Sequence, residues 1–84
     1  MNGLGMFCRD TGHSRVLDNN HVRLSLRQAD GQRVITGIGF GLAEVFCELK
    51  SRPFDVAFNL RNEHWRGETV LAMQAKAFRE SEKV

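Results

Sequence analysis

The clearest pattern along the chain is a strict alternation in "HVRLSLRQ", residues 21–28. Val22, Leu24 and Leu26 share one face, while His21, Arg23, Ser25 and Arg27 share the other, which is the signature of a half-buried strand. "ADG" at 29–31 follows as a hairpin turn, and residues 33–41 read as the return strand. The period then changes. In "LAEVFCELKS", residues 42–51, the apolar positions Leu42, Val45, Phe46 and Leu49 fall at helical spacing, and Pro53 stops the helix soon after. Alternation returns in "FDVAFNLRN", where Phe54, Val56, Phe58 and Leu60 oppose Asp55, Ala57, Asn59 and Arg61. "NEHWRG" reads as a turn and "TVLAMQAKAF" as a last strand. Residues 7–16 suit a long, curved first strand with Gly12 at its bend, and residues 79–84 suit a frayed, solvated tail.

The predicted order is strand, strand, strand, helix, strand, strand. A mainly β chain of five strands with one helix between the third and fourth has the element order of the OB-fold, a small, partly open Greek-key barrel. A ubiquitin-like or other small α+β sheet is the main competing arrangement. The 84 residues make a single domain, 1–84, and the sequence holds no internal repeat, low-complexity segment or linker.

Three glycines at alternate positions, Gly37, Gly39 and Gly41, follow a strand and precede a helix, as in phosphate-cradling loops. The spacing argues otherwise. It is G-x-G-x-G rather than G-x-G-x-x-G, one helix is too few for a doubly wound sheet, and no Gly-Lys-Ser/Thr follows. Glycine also permits the sharp bending that closes a small barrel. Their orientation depends on the hairpin. A three-residue "ADG" turn would set Gln28 opposite Gln32, turn Val34, Thr36, Ile38 and Phe40 inward, and leave the glycines outside as a bare backbone ledge beside Arg23 and Arg27. A two-residue "DG" turn would flip every side chain. The first register buries more apolar surface and is the expected one.

Composition adds little beyond a globular class. The apolar fraction is 42% and the net charge +2, which permits a polyanionic partner without requiring one. No apolar run approaches the ~20 residues of a membrane span, and the first residues lack the pattern of a signal peptide. Cys8 and Cys47 therefore read as reduced thiols in a soluble, cytoplasmic protein. The spacings of His13, His21 and His64 with the cysteines fit no zinc pattern, and Asp10 and Asp18 read as turn formers. No nucleophile–base pair is visible, so the chain alone is expected to be non-catalytic, with no cofactor of its own.

From residue 7 to 79 the sequence resembles the C-terminal OB-fold domain of RecJ, the bacterial single-strand-specific 5′→3′ exonuclease. The resemblance rests on "NNHVRLSLRQ" (19–28), "IGFGLAE" (38–44), "FDVAFNLRNEHWRG" (54–67) and "VLAMQAKAF" (70–78). "NGLGMF" replaces the family's usual proline-bearing lead-in, and Ala77 stands where the family often has Asp. Nothing matches the Asp-His-His phosphoesterase motifs, so the resemblance implies a non-cutting fragment of a larger chain, whose absent catalytic domains would use Mg2+ or Mn2+. It further implies binding of single-stranded DNA in repair and recombination, with the nuclease core and single-strand-binding protein as further partners.

A non-specific single-strand site combines cations that track phosphates with aromatics on which bases stack. Arg23 and Arg27, on the outer face of the second strand, are the first candidates. Arg15 on the first strand and Arg33 beyond the turn are weaker ones of the same kind. In the "NEHWRG" loop, Trp65 would stack, Arg66 would meet a phosphate, and His64 would stack or donate. Against these stand plainer roles: a solvated strand face for the arginines, and a plug at the barrel end for Trp65. Two other functions fit the pattern, a protein-interaction module docking on the nuclease core or a partner, and an RNA-binding OB module.

Overall fold

A computed structural model describes residues 4–81, and at Glu63, Trp65, Val70 and Leu71 the backbone alone. The elements are β1 (Leu4–Asp10), β2 (Arg15–Val16), a 3-10 turn (Asp18–Asn20), β3 (Val22–Gln28), β4 (Val34–Gly39), α1 (Ala43–Leu49), β5 (Phe54–Trp65) and β6 (Glu68–Glu80). The sheet runs β1-β5-β6-β4-β3-β2 and closes through an additional β1–β3 pairing. β1 and β2 are two parts of the predicted first strand, parted at a bend where Gly12 takes φ +91°. The barrel thus has five staves, with β4 parallel to β6, every other pairing antiparallel, and the helix before the fourth stave. This is the OB-fold.

The core follows from the alternations. Val22, Leu24 and Leu26 of β3, Phe54, Val56 and Phe58 of β5, and Met73, Ala75 and Phe78 of β6 are all buried. The short helix lays Ala43 and Phe46 into the same interior. There Phe46, Phe54 and Phe78 form a three-ring cluster with centroids 5.5–6.0 Å apart. Burying each large side chain contributes about 1.5–3 kcal/mol, and edge-to-face ring pairs add to that. The helix ends where the Lys50 N–H bonds the Phe46 carbonyl, ahead of Pro53.

Three expectations are corrected. The β3–β4 hairpin pairs Arg23 with Ile38 and Leu24 with Gly37, so Gln28 meets Arg33 and not Gln32. The inward set on β4 is then Ile35, Gly37 and Gly39, while Val34 and Phe40 are exposed. The cause is room at the seam where β4 joins β6. A Cβ on Gly37 would lie 2.2 Å from the Met73 carbonyl oxygen, and one on Gly39 would press on Val22 and Leu42. Packing volume outweighs the apolar area that the other register would bury.

The expected loop at "NEHWRG" is instead a continuation of strand. β5 and β6 stay paired out to Trp65 and Glu68, and only Arg66 and Gly67 turn, with φ +52° and +81°. Two consecutive positive φ values mark the tight hairpin turn whose twist matches its strands. Among the described residues β1 pairs with β5 as far as Phe58 and β4 meets β6 at residues 73–75, and beyond these the β5–β6 hairpin continues as a two-stranded ribbon. Finally, Arg79 and Glu80 belong to β6 and not to a frayed tail, paired with Asp55 and Phe54. An ion pair from Arg52 to Glu80 (3.1 Å) ties that end down.

Candidate functional site

Because β3 and β4 pair in this register, their outer face consists of four cross-strand rows. Arg23 opposes Ile38, Ser25 opposes Thr36 and Arg27 opposes Val34, with His21 beside Phe40 at the far end. The parallel seam then carries the face onto β6, where Gln74 pairs with Ile38, and on to Asn59 of β5. Along this face a shallow groove of about 380 Å³ is lined by Arg23, Thr36, Gly37, Ile38, Phe40, Arg61, Ala72 and Met73. Among the described residues the lining has two cations and no carboxylate.

Phe40 is 49% exposed, unusual for a phenylalanine in a chain short of core. Its ring stands perpendicular to that of His21, with centroids 5.2 Å apart. Arg61 lies across the groove on β5 and donates to the Gln74 side-chain oxygen at 3.3 Å. Among the described residues, neither Arg23 nor Arg61 has a carboxylate partner. The face can therefore offer uncommitted positive charge beside an apolar ring and an aliphatic floor.

The turn carrying Phe40 is tied to the segment before β3. His21 Nδ1 accepts the Gly41 N–H at 2.9 Å, which places the ring proton on Nε2. The Asn20 side chain donates to the Gly41 carbonyl at 3.0 Å and accepts the Glu44 N–H at 2.9 Å, capping an otherwise uncapped helix start.

Of the residues expected from sequence, Arg23 lies in the groove and is exposed. Arg15 is its direct neighbour, opposite it on β2. Arg27 is on the same face but half-buried, its guanidinium donating to the Gln32 carbonyl at 3.4 Å. Arg33 is exposed at the β3–β4 turn, next to Val34. His64 pairs with Thr69 near the ribbon tip, 3.4 Å from its hydroxyl, and Arg66 sits in the turn itself. The side chain of Trp65 lies outside the described residues. The expected bare glycine ledge is absent from this face, since Gly37 and Gly39 turn toward the core and the outer positions carry side chains.

The sequence pattern does not single out Phe40, Ile38, Thr36 or Arg61, which the structure adds to the groove. The first three were hidden by the hairpin register, which decides their face. Arg61 was legible, because "FDVAFNLRN" already sets it opposite the buried set.

A larger groove, about 520 Å³, lies on the other side of the barrel. Its floor is a row of small residues, Gly5, Ala57 and Ala77, paired across β1, β5 and β6. Its one cation among the described residues, Arg79, lies 3.8 Å from the Asp55 carboxylate, so the pair carries no net charge. No helix among the described residues is long and apolar enough to cross a membrane, and no three His, Cys, Asp or Glu residues among them gather as a metal site.

No curated protein and no solved structure matches the chain. A family model does, that of the RecJ OB domain, over residues 6–77, which reaches into every barrel stave and takes in the whole groove. The fold and this match agree, and the chain belongs to the RecJ OB domain family.

Proposed function

We propose that the β3–β4 face binds single-stranded DNA, as the non-catalytic accessory domain of a RecJ-like 5′→3′ exonuclease working in repair and recombination. The observation that carries the reading is the groove itself: Arg23 and Arg61 without a carboxylate among the lining residues, beside the half-exposed ring of Phe40. Guanidinium groups hold phosphates in whatever sequence they occur, and a base of any identity can stack on an aromatic face at about 1–3 kcal/mol. Arg15 and Arg27 extend the cationic row along the same face, and Arg33 stands at its end. His64, Trp65 and Arg66 would meet the strand from the ribbon tip. Cutting would belong to a nuclease core with Mg2+ or Mn2+, in the cytoplasm, this domain helping to hold its substrate.

The test is fluorescence anisotropy of a labelled oligothymidylate against the wild type and the Arg23→Glu/Arg61→Glu pair, with duplex DNA and single-stranded RNA as competitors. The reading expects single-strand binding that the charge reversal lowers by more than about tenfold. Equal binding by the reversed pair would contradict it, and preference for RNA would assign the face to RNA. A second reading, docking on the nuclease core or on single-strand-binding protein, is favoured by the small-residue groove at Gly5, Ala57 and Ala77. It expects the charge reversal to leave DNA binding unchanged.

A further inference from the structure

One feature of "NNH" is unexplained by the binding reading alone. Asn19 and Asn20 both take left-handed backbone conformations, φ +62° and +61°, a geometry that L side chains seldom adopt in succession. What this arrangement accomplishes is local. It delivers the Asn20 side chain to the Gly41 carbonyl and the Glu44 N–H, and the His21 ring to the Gly41 N–H. Gly41, itself at φ +70°, is the residue after Phe40. The His21 ring also stands against that phenylalanine. Phe40 is thus exposed yet held from two directions, through its backbone neighbour and through its own ring.

We propose that Asn20 and His21 are positioning residues for Phe40, a clamp that fixes its ring as a preformed stacking surface in the groove. The proposal rests on the reading of the face as a single-strand site. An exposed phenylalanine on a free turn would lose rotamer freedom on binding, and a ring held beforehand loses less. His21 serves here as a hydrogen-bond acceptor at Nδ1 and a perpendicular ring packed against the phenylalanine, with no contact to DNA required.

The test is a double-mutant cycle on oligothymidylate affinity with His21→Ala, Phe40→Ala and both together. His21→Ala should weaken binding about three- to tenfold, a part of what one base stack is worth, and should cost nothing further once Phe40 is alanine. The same loss in both backgrounds, or no loss in either, would overturn the proposal. A second measurement needs no DNA. Exchange of the Gly41 amide proton should accelerate about fivefold or more in His21→Ala, as expected for loss of one hydrogen bond, and recover in His21→Asn, which keeps an acceptor at the δ position. Unchanged exchange in His21→Ala would remove the clamp. A wild-type domain that fails to bind DNA while its Gly41 amide behaves as described would refute the function and leave the clamp as a device serving the fold, so the two failures are separable.

Discussion

Gly37 and Gly41 are both glycines of one short segment, and they are glycine for different reasons. A methyl group at Gly37 would meet the Met73 backbone at 2.2 Å, where nothing flexible can yield. At Gly41 there is open space, and the positive φ alone opposes a side chain. Gly37→Ala should therefore destabilise the domain by about 2–4 kcal/mol, and Gly41→Ala by about 1 kcal/mol, read from urea midpoints. The two cysteines also divide. Cys8 is fully buried, donates to the Phe54 carbonyl, and has its pKa pushed up to about 12 by burial and by the nearby Asp55 carboxylate. Cys47 is exposed. Thiol reagents should label Cys47 at once and Cys8 only on unfolding. The unfolded thiol ionises near 9 and the folded one near 12, so the unfolded chain sheds its proton first. Stability from this group is complete below pH 9 and declines above it, by about 1.4 kcal/mol per pH unit until the folded thiol itself ionises. A Cys8→Ser comparison at pH 8 and 10 isolates that slope.

Among the elements, the β3–β4 hairpin shows what the sequence could and could not disclose. The strands, the helix, the bend at Gly12 and the barrel order were legible, because each rests on a period or on a breaker residue. The register was not. Choosing it by buried apolar area fails where the seam has no room for side chains, a fact that exists only once β4 lies beside β6. The same failure hid the candidate site: Phe40 and Ile38 read as core because they are apolar, yet Phe40 is exposed and Ile38 only half-buried, a local conflict of the kind expected at a binding surface. The ribbon likewise reads as a loop from sequence, since a two-residue turn leaves no breaker signal beyond Gly67. The register has a direct test in stability. Ile35→Asp should cost about 2–3 kcal/mol and Val34→Asp no more than about 0.5. The reverse order would mean that the hairpin pairs as the apolar count suggested.

At the scale of the whole molecule, charge matters by placement and not by sum. A net +2 is small, yet the two grooves differ sharply. On one side Arg23 and Arg61 line a groove with no carboxylate among its described lining residues, and on the other Arg79 is paired with Asp55. Binding through two to four phosphates of a single strand should give a slope of log affinity against log salt of about −1.4 to −2.8. Arg23→Ala should flatten that slope by about 0.7 without altering preference among sequences. A slope near zero would mean that the contacts are not phosphates.

The measurement that decides most is a two-dimensional amide NMR titration of the domain with an unlabelled oligothymidylate at low salt. Shifts concentrated at His21, Arg23, Thr36, Ile38, Phe40 and Arg61 are the predicted result. Shifts concentrated instead at Gly5, Phe7, Ala57 and Ala77, or none anywhere at saturating oligonucleotide, would contradict it.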